Sequence, residues 1–180
     1  HHDLGAVPWY QPTDQSPWGP LPAAVTPGQV AIAQSMLART ATRIGVQVPD
    51  LGAAVVFEDR FNRMVRATRS KAATSFTFVA GHLLHLWQRF GKHHPIVVVD
   101  RQGGRTKYRH LLAMNFPDAD ITILDQTQQR SGYRLESVGP AQSGRVLTVW
   151  FEVDADQRHM PVALASMISK YTRELLMARF

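Results

Sequence analysis

Apolar positions follow two periods along this chain, and the change from one to the other marks its elements. Val146 to Val153 is a run rich in β-branched and aromatic residues, which predicts a half-buried or fully buried strand. An acidic turn with Asp154 and Asp156 follows it. Beyond that turn, Leu164, Met167, Ile168, Tyr171 and Leu175 recur at helical spacing, with Pro161 near the first turn, where its missing N–H does no harm. The spacing predicts an amphipathic helix whose apolar stripe belongs to the core. Ser166, Lys170 and Arg173 stand four and three apart on a different face of it.

The same reading extends upstream. Thr26-Pro27-Gly28-Gln29 combines a capping box with proline at the first helical position, so a helix starts there. Val30, Met36, Leu37, Ala41 and Ile44 form its stripe, and Gly45 ends it. Ala53 to Phe57 reads as a short buried strand, with Glu58 to Arg66 leading out of it. Ser70 to Phe90 is the longest helix, its buried side marked by Phe76, Ala80, Leu83, Leu84 and Trp87 and its end by Gly91. Pro95 to Asp100 is almost wholly apolar, as expected of a strand in the middle of a sheet covered on both faces. A short helix over Tyr108 to Met114, a strand at Ile121 to Leu124, a polar turn from Gln126 to Gly132 and a returning strand from Tyr133 to Val138 follow. Helices and strands in this order predict an α/β fold, with Asp100 at a strand end, where open α/β sheets place chemistry.

Before Thr26 the pattern stops. Residues 1–27 hold Pro8, Pro12, Pro17, Pro20, Pro22 and Pro27 with Trp9, Tyr10 and Trp18 between them, a density that prevents regular helix or central strand. An extended arm whose aromatics dock on the domain is the expectation, with a protein partner's aromatic groove as the alternative.

Composition narrows the functional classes. The chain of 180 residues fits one main domain, residues 28–180, and its net charge of +6 favours contact with a polyanion such as nucleic acid. The absence of cysteine excludes disulfides, zinc–thiolate sites and thiol catalysis, and fits a reducing compartment. No apolar run is long enough to span a bilayer, and a cytoplasmic protein without membrane contact is the default. His82 and His85 lie three apart with no third ligand and read as a polar helix face. His159 lies near Asp156, where a proton shuttle is conceivable. No G-x-S-x-G elbow exists for a serine hydrolase.

Two stretches carry a family resemblance. Ala165 to Glu174 reads ASMISKYTRE and follows Asp156; Val97-Val98-Val99-Asp100 ends an apolar strand, with Phe61-Asn62-Arg63 preceding the long helix. Together they resemble the ribonuclease HII family, weakly over residues 28–100 and well over 153–177. The resemblance implies a ribonuclease H-like mixed sheet flanked by helices, with residues 101–145 as a β-rich insertion. It also implies metal-dependent endonucleolytic cleavage of RNA in RNA–DNA hybrids, with Asp100 and Asp156 as ligands of Mg2+ or Mn2+. Two such ions roughly 4 Å apart activate water and stabilise the leaving oxygen of a phosphodiester. Lys170 is expected to hold a phosphate or orient an aspartate, and Arg173 to contact the nucleic acid.

The basic segment Arg101 to His110 opens the insertion. There Gly103-Gly104 with Arg105 and Lys107 can cradle a backbone, and Tyr108 can stack on a base. The family's first-strand Asp-Glu pair and its D-S-K segment have no counterpart in this chain. Glu58, Asp59, Glu152 and Asp154 are the candidates to complete the carboxylate set. The alternatives are a member that has lost catalysis and binds nucleic acid or a protein partner, and a scaffold role through the aromatic arm.

Overall fold

The structure, a computed structural model, describes residues 25–139 and 143–177. It contains helices α1 (Pro27–Ile44), α2 (Glu58–Thr68), α3 (Lys71–Phe90), α4 (Arg109–Asn115) and α5 (Met160–Met177). Four strands, β1 (Ile96–Asp100), β2 (Ala119–Gln126), β3 (Arg130–Ser137) and β4 (Val146–Glu152), make one mixed sheet in the order β1-β4-β3-β2. The fold is mixed α/β, with the sheet flanked by helices. The expected arm, residues 1–27, falls almost wholly outside the described residues.

Residues 54–166 form one compact unit around this sheet. Strand β4 pairs with β1 in parallel, Val97 opposite Val149 and Asp100 opposite Glu152. On its other side β4 runs antiparallel to β3, with Tyr133 opposite Val149 and Leu135 opposite Leu147. The turn at residues 127–129 then joins β3 to β2, whose register shifts between Ile123 and Asp125. The segment expected as an insertion thus supplies two of the sheet's four strands.

Strand residues alternate between faces, so every second side chain of β4 and β3 reaches one core. Leu147, Val149 and Phe151 of β4 join Tyr133 and Leu135 of β3. Phe76, Ala80, Leu83 and Trp87 of α3 pack with them, spaced as one helical stripe. Tyr108, Leu112 and Phe116 complete the cluster, and the Tyr108 ring lies flat on Phe151 with centroids 3.7 Å apart. The opposite sheet face carries Arg130, Arg134 and Glu136 from β3 and Thr148 and Trp150 from β4.

Three expectations are corrected here. Strand β1 is an edge strand, and Ile96 at its start is 70% exposed, because helices α3 and α4 contribute their core side chains to one face only. An apolar run records burial of some side chains and cannot report how many neighbours a strand has. Ala53 to Phe57 has no ladder partner and forms no strand; Phe57 stands in extended backbone immediately before α2. Leu84 lies on the exposed side of α3.

The second compact unit comprises the described residues up to Ala53 and those from Met167 on. Helix α1 begins as its sequence demands: Thr26 accepts from the Gln29 amide at 3.3 Å while the Gln29 side chain accepts from the Thr26 amide at 2.8 Å. Gly45, in the left-handed region at φ 71°, closes it by donating to Ala41 and Thr42 carbonyls. Neither α1 nor α5 buries a residue fully. The α5 stripe expected in the core is therefore corrected too: Met167 is 66% and Tyr171 47% exposed. Periodicity established the helix without establishing what covers it.

Candidate functional site

The carboxyl ends of β1 and β4 bring together the carboxylates that the chain's order separates. Asp100 and Glu152 are opposite one another in register. Asp100 Oδ1 accepts the Ala155 amide at 3.1 Å, which fixes the turn that follows β4. That turn is a single 3-10 turn, Ala155–Gln157, so Asp156 sits one residue beyond the amide that Asp100 holds. Asp154 precedes it in the left-handed region at φ 51°.

Glu152 is buried, and its surroundings decide its role. His159 Nε2 lies 3.0 Å and Arg158 Nη2 3.3 Å from its Oε2. A buried carboxylate needs such partners, because its desolvation is otherwise uncompensated. The His159 carbonyl accepts from the Val162 and Ala163 amides, so the same residue caps α5 and hydrogen-bonds β4's last side chain. His159 is thus tied to Glu152, not poised beside Asp156 as expected.

Among the described residues no group of three His, Asp or Glu side chains is placed to hold a metal ion. With Asp100 bonded to an amide and Glu152 bonded to His159 and paired with Arg158, the donor set does not fit a pair of divalent ions, which need several hard oxygen ligands. Glu58 and Asp59 begin α2, where Asp59 pairs with Arg63. Lys170 and Arg173 belong to the other compact unit, where both are exposed and Arg173 donates to Glu174 at 2.9 Å.

The basic segment after β1 divides into structural and available side chains. Arg101 is structural: its guanidinium donates to the carbonyls of Gln128 and Thr127 and, at 3.1 Å, to Ser131 Oγ, pinning the β2–β3 turn. Tyr108 is structural as well and fully buried, which corrects its expected role as a base-stacking residue. Its hydroxyl accepts the Gln102 amide at 3.3 Å, its amide donates to Tyr133 Oη at 2.9 Å, and burial raises its pKa above the ordinary tyrosine value. A tyrosine amid arginines reads as exposed in sequence; its partners lie on β3 and β4, where no local signal reveals them.

Lys107 and Arg109 remain exposed, and neither has an ion-pair partner among the described residues. Arg105 is half-buried, its guanidinium 6.0 Å from the Tyr108 ring centre, and likewise has no carboxylate partner. Arg105 faces a groove of about 490 Å3 that Lys71, Ala72 and Ser75 from the start of α3 share with Gln102, Gly103 and Gly104. Gly103 and Gly104 adopt φ values of 43° and 73°, a pair of left-handed residues that only glycine adopts without strain. Lys71 and Gln102 escaped the sequence reading. They come from distant parts of the chain, and only the fold joins them. The Gln102 side-chain oxygen is closed off from solvent and has no hydrogen-bond partner, a condition that costs about 1–3 kcal/mol.

Comparison with protein-family models, with curated proteins and with solved structures gives no significant match to this chain. The described residues contain no helix long and apolar enough to cross a membrane.

Proposed function

We propose that residues 54–166 form a divergent ribonuclease H-like module that binds nucleic acid without cleaving it. One observation supports this above all: among the described residues the cations around Gly103-Gly104 have no carboxylate partner, while the neighbouring strand-end carboxylates Asp100 and Glu152 are bonded within the protein. Lys71, Arg105, Lys107 and Arg109 have no carboxylate partners among the described residues. Asp100 and Glu152, by contrast, hold the turn before α5. Unpaired cations beside a flexible glycine pair suit a phosphate backbone, which supplies most of the affinity of such proteins. Partners of the N-terminal arm and a cytoplasmic setting belong to the same proposal.

The cleaving reading rests on a different observation: Asp100 and Glu152 stand opposite one another in register, and Asp156 lies in the turn whose Ala155 amide Asp100 holds. In it Asp100 and Asp156 would ligate Mg2+ or Mn2+.

A single experiment separates the two. A labelled hybrid duplex and a duplex with one embedded ribonucleotide are titrated with the full chain at several salt concentrations, with and without Mg2+ or Mn2+. The expected result is salt-dependent binding without cutting. Replacing Lys71, Arg105, Lys107 and Arg109 together with alanine lowers the slope of log K against log salt by about 3 to 4, since each lost phosphate contact removes roughly 0.9. Metal-dependent cutting that disappears in Asp156→Asn would establish the cleaving reading, and absence of binding to either duplex would refute both.

A further inference from the structure

Strand β1 ends the sheet, and the order of its hydrogen bonds shows which of its backbone groups are unused. The Thr148 amide donates to the Pro95 carbonyl at 3.0 Å and the Arg101 amide to the Glu152 carbonyl at 2.8 Å, one at each end of the β1–β4 ladder. Backbone groups alternate in direction along a strand, so Val97 and Val99 turn theirs toward β4 as well. Ile96, Val98 and Asp100 therefore direct their N–H and C=O groups away from the sheet. Among the described residues none of these groups meets a backbone partner on that side.

An open edge is a template for another strand, and proteins ordinarily blunt it with charge, proline or a bulge. The sheet's other edge is blunted in this way: β2 carries exposed Asp120, half-buried Asp125 and a break in register between Ile123 and Asp125. β1 is not. Its five residues pair without a bulge and are apolar until Asp100. Pro95 leaves the edge unblocked, because its groups belong to the inward set. Val97 and Val99 pack beside the core on one face, and Ile96 is 70% exposed on the other. An apolar strand therefore suits this edge on both faces, and β1 is itself such a strand. Its charges select the direction: Lys92, His93 and His94, all exposed, lead into it, and Asp100 closes it. Two copies laid antiparallel bring the acidic end of each beside the basic lead-in of the other.

We infer that β1 pairs antiparallel with β1 of a second copy of this chain, the two-fold axis passing beside Val98. Val98 then exchanges both backbone bonds with Val98 of the partner subunit, and Ile96 does so with Asp100 of the partner subunit. This register uses every outward group of the strand, and a shift by two residues leaves some of them unpaired. The two sheets become one, continuous across a patch that is complementary to itself, as a two-fold homodimer requires. The inference is independent of the nucleic-acid reading.

Sedimentation velocity of the full chain over a concentration series measures the dimer. Val98→Pro deletes the N–H at the axis and leaves the β1–β4 ladder whole, because that N–H faces outward. The dimer is expected to be lost, with far-UV circular dichroism unchanged. Ile96 tests the register without touching the backbone. Ile96→Asp sets a carboxylate opposite Asp100 of the partner subunit on both sides of the axis and weakens association about tenfold, whereas Ile96→Lys sets an ammonium there and preserves or strengthens it. A dimer that responds in these ways supports the inference; should Val98→Pro lose its fold, the two Ile96 variants decide alone. A chain that stays monomeric up to about 100 μM overturns it and leaves the edge to a strand of another protein. A dimer indifferent to Val98→Pro, or one that both Ile96 variants affect alike, overturns it as well, since the copies are then held by another surface.

Discussion

Gly132 on β3 makes the sharpest claim about packing. It stands opposite Trp150 on β4, and a Cβ built on it would lie 2.6 Å from the indole Cε3 and closer still to Cζ3. The indole therefore lies across the glycine, where no side chain fits beneath it. Arg130, two residues earlier on the same strand, places its guanidinium 4.9 Å from the indole centre on that sheet face. Gly132→Ala must push the ring away. Overpacking of this kind costs about 1–3 kcal/mol, and loss of the cation–π contact adds about 0.5–1 kcal/mol at a partly exposed site. Alanine returns roughly 0.5–1 kcal/mol through the backbone entropy that glycine gives up in a strand.

The net expectation is destabilisation by about 2 kcal/mol, or roughly 4–8 °C in Tm for a chain of this size. Urea unfolding followed by far-UV circular dichroism measures it, and a double-mutant cycle assigns it. In a Trp150→Ala background the three nearest atoms to the added Cβ are gone, so Gly132→Ala becomes neutral or stabilises by up to about 1 kcal/mol. An equal cost for Gly132→Ala in both backgrounds would refute the reasoning, because the penalty would then lie in the backbone and not in the ring.

Three further outcomes are expected. Tyr133→Phe removes the acceptor of the buried Tyr108 amide and lowers stability by about 1–3 kcal/mol in urea unfolding, with little change in the circular dichroism of the native state. Burial raises the Tyr108 pKa in the fold, so above the ordinary tyrosine range near pH 10 the unfolded chain gives up its proton first and stability falls as pH rises. In Tyr108→Phe that alkaline fall is shallower, which urea midpoints between pH 8 and 11 record. Thr26→Ala deletes one half of the α1 capping box at a cost of about 1 kcal/mol, read as faster amide exchange in the first turn of α1 with the sheet unit unaffected.

These residues also show why some of the structure is legible in sequence and some is not. Thr26, Ser70 and Gly45 act on neighbours within a few residues, so the ends of α1 and the start of α3 follow from local rules. The β2–β3 hairpin follows for the same reason, since a polar turn between two runs of β-formers leaves few alternatives. The position of β1 does not follow. Val97 to Val99 would look the same at the centre of a sheet, and its edge place is set by residues of β4 about fifty positions later.

The candidate site divides along the same line. Asp100 and the turn after β4 were visible as strand-end carboxylates, but the side chains that settle their chemistry, His159 and Arg158 on Glu152, act through burial that no spacing reveals. Tyr108 makes the point in the opposite direction: its basic neighbours argued for exposure, while its ring belongs to Phe151 and its amide to Tyr133. What the fold adds at this end of the sheet is therefore an exchange of roles. The carboxylates become structural and the tyrosine becomes core. Lys71, Arg105 and Lys107 are left without a carboxylate partner among the described residues, and the binding experiments address them for that reason.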